Sequence, residues 1–191
     1  NFIMSKLETN TIDNISGSST LTIGDTNTST ITLKSGATLT NFPTNTPSFR
    51  AYVNGSQTVA DITSTVIQYD AESFDTDSAY DTSTYRFTVP SGKAGKYFFS
   101  AHAYIFQSSA SLYSCDFQIR KNGANQSFDQ LGLDSSDNYA YTPKSTTILD
   151  LSVGDYVDVT ITGNTNDGGS FTIFGNSPYN WGVFQGYKLI G

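Results

Sequence analysis

Residues 79–104 constrain the fold more than any other stretch, because two aromatic-rich segments flank a single Pro/Gly turn. In Tyr85-Arg86-Phe87-Thr88-Val89, large or β-branched residues alternate with polar ones, the period of a half-buried strand. Pro90-Ser91-Gly92-Lys93-Ala94-Gly95 ends that run, since proline removes a ladder donor and glycine tolerates positive φ. From Lys96 to Phe106 the alternation resumes. Tyr97, Phe99, Ala101 and Ala103 fall on one face, and Phe98, Ser100, His102 and Tyr104 on the other. Aromatics on both faces predict a central strand whose second face is covered by another sheet or by a neighbouring subunit. An ordinary sandwich core is the simpler alternative, and pattern alone does not separate the two.

The rest of the composition agrees with an all-β chain. Of 191 residues, 13 are Phe and 12 are Tyr, whereas only 14% are charged, so Ser, Thr, Asn, Gln and Gly must form most of the surface. Helical bundles draw instead on Ala, Leu, Glu and Lys. The net charge of −7 and the absence of a Lys/Arg cluster argue against nucleic acid as a partner. Cys115 is the only cysteine, which excludes an internal disulfide and makes it a small buried residue. No apolar run reaches the length of a membrane span, and no signal-peptide core is visible. Met4-Ser5-Lys6-Leu7 reads as a natural start, with Asn1-Phe2-Ile3 outside the native frame, so synthesis without export is expected.

Two domains are predicted, 1–47 and 48–191. The first is rich in Thr, Ser and Asn and carries an internal echo. Ser19-Thr20-Leu21-Thr22-Ile23-Gly24-Asp25 is followed by Ser29-Thr30-Ile31-Thr32-Leu33-Lys34-Ser35-Gly36. Each copy reads as a short strand with two inward aliphatics, too few to bury a face alone. Packing the same stretch from several chains around an axis would join Leu21, Ile23, Ile31 and Leu33 into one core. A flexible linker is the alternative. Asn41-Phe42-Pro43-Thr44-Asn45-Thr46-Pro47 then reads as an extended connector. Beyond it, eight to ten strands with turns at short intervals and no convincing helix indicate a β-sandwich or jelly roll.

The motif order from Ser48 onward resembles the globular head of complement component 1q, within the tumour-necrosis-factor-like jelly-roll superfamily. That family has an aromatic and Asp, then Phe, Pro and Gly-x-Tyr-x-Phe. The corresponding residues are Tyr80-Asp81, Phe87, Pro90 and Gly95-Lys96-Tyr97-Phe98-Phe99. Arg120-Lys121-Asn122-Gly123 matches its basic hairpin. The run 148–157, with Gly154-Asp155, matches a later strand, and Phe184-Gln185-Gly186-Tyr187-Lys188-Leu189 matches its terminal motif. The turn at 90–95 is longer than the family's, and the Leu/Ile/Thr repeat stands where the family has a collagen-like stem. The resemblance implies a jelly-roll head assembled as a trimer, with Phe184 and Tyr187 of the last strand near the axis and Phe98, His102 and Tyr104 at the same interface. The repeat shaft before such a head also resembles virion proteins of tailed bacteriophages, those of marine cyanobacterial phages in style.

Candidate chemistry is sparse. His102 is the only histidine and lies mid-strand, where packing or an interface is the simpler role than a Ser-His-Asp hydrolase. Asp75-Thr76-Asp77, with Asp81, offers oxygen ligands of the kind calcium takes, and family heads sometimes bind that ion; a solvated acidic loop is the alternative. No other cofactor is implied. Tyr179, Asn180 and Trp181 place rings and an amide in a turn-rich loop, as sugar recognition requires, with Tyr139 and Tyr141 as a second aromatic loop. For Trp181, packing at the trimer axis is the competing role. The expectation is therefore a non-enzymatic homotrimeric virion protein. Residues 1–47 would dock on other virion proteins, and the head would meet a host-surface glycan or protein. A capsid or tail decoration protein and a cellular lectin-like protein are the alternatives.

Overall fold

The computed structural model of the protein describes residue 35 and residues 45–107, 112–132, 140–176 and 181–190. Apart from Ser35, these belong to the compact unit Pro43–Gly191. The repeat residues Leu21, Ile23, Ile31 and Leu33 lie outside the described residues, as do Tyr139, Tyr179 and Asn180.

Among the described residues there are strands and no helix. In chain order they are β1 (Ser48–Tyr52), β2 (Gln57–Ala60), β3 (Thr65–Val66), β4 (Ala71–Asp75), β5 (Tyr80–Asp81), β6 (Arg86–Thr88), β7 (Gly95–His102) and β8 (Ile105–Phe106). They continue as β9 (Leu112–Lys121), β10 (Ala124–Gly132), β11 (Ala140–Tyr141), β12 (Lys144–Leu151), β13 (Tyr156–Thr165), β14 (Ser170–Ile173) and β15 (Val183–Lys188). The first sheet runs β12, β7, β15, β1, β4, and the second β10, β9, β13, β6, β5, with β3 beside β13. A short third sheet runs β11, β8, β14, β2. The chain passes back and forth between the first two sheets, every pairing is antiparallel, and the first strand lies beside the last. This is a jelly-roll β-sandwich.

Several strands were not legible as such. β4 occupies part of the acidic run expected to be a loop, and β10 is a mostly exposed edge strand with little apolar alternation. Acidic side chains on β4 keep that edge from recruiting another strand. The segment 85–89 contracts to Arg86–Thr88 because Tyr85 takes a left-handed φ of 60° and closes a turn, its N–H donating to the Asp81 carbonyl at 2.7 Å. The long strand expected over 96–106 divides into β7 and β8.

Alternation then fills the core. Tyr97, Phe99 and Ala101 of β7 point inward with Phe49, Phe87, Phe117 and Phe184. Phe49 stacks on Tyr80 (5.0 Å between ring centroids) and Phe87 (5.1 Å) and meets Phe184 edge-on at 5.0 Å, so one ring ties four strands together. Phe184 is thus a core residue. It does not reach a trimer interface, because on β15 it shares the inward face with Gly186, opposite to Tyr187. The glycine has its own reason. A Cβ at 186 would stand 2.6 Å from the Phe99 ring, so that ring occupies the space a side chain would need.

Two of the motifs lock each other. Asn122 (φ 50°) and Gly123 (φ 81°) form the two-residue hairpin turn between β9 and β10. The Asp155 carboxylate accepts from Asn122 Nδ2 (2.7 Å) and the Ser152 N–H (2.8 Å) and pairs with Lys121 Nζ at 2.9 Å. The Asn122 amide, first among these, holds the Asp155 carboxyl down at about 2. A depressed carboxyl stabilises the fold above its unfolded pKa, and that contribution disappears as pH falls through the folded value. Urea midpoints measured from about pH 5 down to about pH 2 should therefore fall for the wild type, and less steeply for Asp155→Asn. Parallel curves would rule this out.

Candidate functional site

The side of the first sheet facing away from the core carries an apolar surface. The registers align outward residues in rows. Ile148, Phe98, Tyr187 and Ser48 form one, and Thr146, Ser100, Gln185, Arg50 and Phe74 the next. Lys144, His102, Val183 and Tyr52 form the third. In the first row Phe98 and Tyr187 pack ring to ring at 5.4 Å. Ile148 (60%), Phe74 (50%) and Tyr187 (40%) are nevertheless exposed, an unusual density of large apolar side chains for a free sheet face. A hollow of about 170 Å³ between Phe74, Phe98 and Tyr187 breaks this surface.

Toward the far end of β7 the face becomes mixed. A cavity of about 400 Å³ is lined by His102, Tyr104, Thr142 and Trp181, and an adjoining hollow of about 360 Å³ by Ser100, His102, Thr142, Lys144 and Thr146. Trp181 packs against Tyr104 (5.0 Å) and Phe174 (5.2 Å), and Phe106 meets Phe174 edge-on at 5.8 Å. None of these four rings is fully buried. They form an aromatic cluster outside the sandwich core.

Of the expected interface residues, Phe98, His102 and Tyr187 lie on this face, and Tyr104 lies just past the end of β7; Phe184 does not. Trp181 precedes β15 and lines the cavity. Tyr141 is engaged elsewhere, donating its hydroxyl to Asp129 at 3.2 Å, with burial and then Asp129 pushing its phenol up to about 12. Ile148, Phe74 and Val183 were not anticipated. Ile148 had a visible signal, since in Ile148-Leu149 adjacent apolar residues on one strand must face opposite ways.

The candidate calcium ligands Asp75, Asp77 and Asp81 each hold partners of their own. Asp75 accepts from the Tyr80 and Asp77 N–H groups, Asp77 pairs with Lys93 at 3.2 Å, and Asp81 accepts from Ser83 and Thr84. These carboxylates cap turns rather than converge, and no group of three acidic, His or Cys side chains suited to a metal occurs among the described residues. Cys115 is buried in the core, which pushes its thiol up to about 12 and leaves no reactive thiolate.

No protein-family model matches the chain, and no curated protein matches it. Among solved structures, the chain is similar to the globular domain of zebrafish complement 1qA protein, with a TM-score of 0.49 and 16% identity over 75% of this chain and 97% of that one. The jelly roll stands on the strand order described above.

Proposed function

We propose that the chain is a non-enzymatic, homotrimeric structural and binding protein, a virion fibre or appendage whose jelly-roll head closes the trimer and faces a host surface. The observation that carries this reading is the outer face of the first sheet. Its Phe74, Phe98, Ile148 and Tyr187 are apolar and solvent-facing although the core behind them is complete. A second and third copy of the chain are the fitting cover. The repeat around Leu21, Ile23, Ile31 and Leu33 supplies too few aliphatics for a core of its own, and the same assembly would provide one for both parts. The repeat's likeness to phage shafts supports the virion setting.

Light scattering on the purified chain should give about three times 20.7 kDa. Tyr187→Glu should shift it toward monomer with an unchanged circular dichroism spectrum, because a charge would enter the apolar row without touching the core. A wild-type monomer would sink the trimer reading. Locating the chain in intact particles tests the virion setting. A position at the tip of a fibre supports it, while a position on the capsid lattice would favour a decoration protein.

A further inference from the structure

The outer face of the second sheet carries an arrangement that the trimer reading does not use. Asp158 of β13 points outward yet is fully buried, covered by two arginines from neighbouring strands. Arg120 of β9 donates to it through Nε (2.8 Å) and Nη2 (2.9 Å), and Arg86 of β6 through Nε at 3.3 Å. The Arg86 guanidinium also lies 4.2 Å over the Tyr156 ring. One carboxylate and one ring therefore fix the plane of Arg86 while its side chain stays 38% exposed. Its two terminal nitrogens have no hydrogen-bond partner among the described residues, nor has Nη1 of Arg120.

A guanidinium in this state is a prepared receptor. Most of the rotamer entropy of Arg86 is already lost, so a ligand that accepts from its parallel N–H groups does not bear that cost. Two cations share one anion, which leaves a local excess of positive charge on an acidic chain. Planar or tetrahedral oxoanions match the geometry of two forward-pointing –NH₂ groups. The surroundings narrow the choice. Gln118 and Thr160 are outward neighbours on β9 and β13, Asn125 is paired with Arg120, and Asp81 is paired with Arg86; the next row out holds Thr162 opposite Asp116. Amides and hydroxyls suit a hydroxyl-rich polymer, whereas a densely charged polyphosphate would meet Asp81 and the overall charge of −7.

We infer that Arg86 and Arg120, held by Asp158 and Tyr156, form a binding site for an anionic group, carboxylate or sulfate, on an acidic polysaccharide. The site is on the sheet opposite the proposed self-association face and does not depend on it.

The test titrates the full chain with polygalacturonate, dextran sulfate and neutral dextran. The wild type should bind at least one of the two polyanions, weakened by added salt, and not dextran; which polyanion binds decides between carboxylate and sulfate. Arg86→Gln should weaken that binding by about tenfold or more, because Arg120 alone still satisfies Asp158 and the fold persists. Asp81→Asn, which removes a carboxylate beside the site, should tighten it. No binding of either polyanion above dextran, or equal binding by the wild type and Arg86→Gln, overturns the inference. Should Arg86→Gln fail to fold, Asp81→Asn decides: tighter binding supports the site and unchanged affinity overturns it.

Discussion

Replacing Phe49 with Ala should destabilise the head by about 3–5 kcal/mol, a large share of the roughly 5–15 kcal/mol that holds such domains folded. Phe49 is 1% exposed and meets Tyr80, Phe87, Phe99 and Phe184, residues of the first and second sheets. Its removal deletes transfer energy and leaves a void that rings anchored on four other strands cannot easily collapse into. Urea unfolding followed by tyrosine fluorescence measures the change. A loss under about 1 kcal/mol would mean that the core closes around the gap, and that Phe49 is not the hub its contacts describe.

Arg120→Ala should cost a similar amount, about 3–5 kcal/mol, for an electrostatic reason. Asp158 is fully buried, and two of its three hydrogen bonds come from Arg120. Without them a carboxylate removed from water keeps only Arg86 Nε at 3.3 Å. Truncating Arg86 instead leaves the two shorter bonds in place, so its stability loss should be much smaller. The comparison of the two variants in one denaturation series is therefore the informative measurement. Equal losses would show that the triad is not asymmetric in the way its distances indicate.

What was legible in the sequence was what is decided locally. The outward and inward sets on β7 follow from period two alone, and both faces are populated as the alternation requires. Asn122-Gly123 announced its hairpin because few other pairs accept positive φ at both positions. The same parity separates Phe184 and Gly186 from Tyr187, so the placement of Phe184 at an interface was an error that strand period could have prevented. Interactions between distant segments were not legible. Arg86 and Arg120 lie 72 and 38 residues from Asp158, and nothing in the residues around them signals that they share a carboxylate. Edge strands such as β10 also escaped, because one solvated face and an absent neighbour remove most of the apolar alternation. The cavity at His102 depends on Thr142 and Trp181 arriving from separate loops, which no single stretch encodes.

The position of β15 has a consequence for how the head is made. The last strand is an interior one: it enters between β1 and β7, with Tyr52 opposite Val183 on one side and His102 opposite Val183 on the other. Until it arrives, β1 and β7 present unsatisfied edges to each other across an empty slot, and Phe49 and Phe99 lack the ring of Phe184 that packs on both. Pairings this distant along the chain form late and slowly. A growing polypeptide therefore cannot close the sandwich before Val183–Lys188 has been made, and a product truncated before Val183 has no strand to fill the slot. Any self-association that needs the finished first sheet must wait for β15, which makes that strand a checkpoint for completeness before copies of the chain can join.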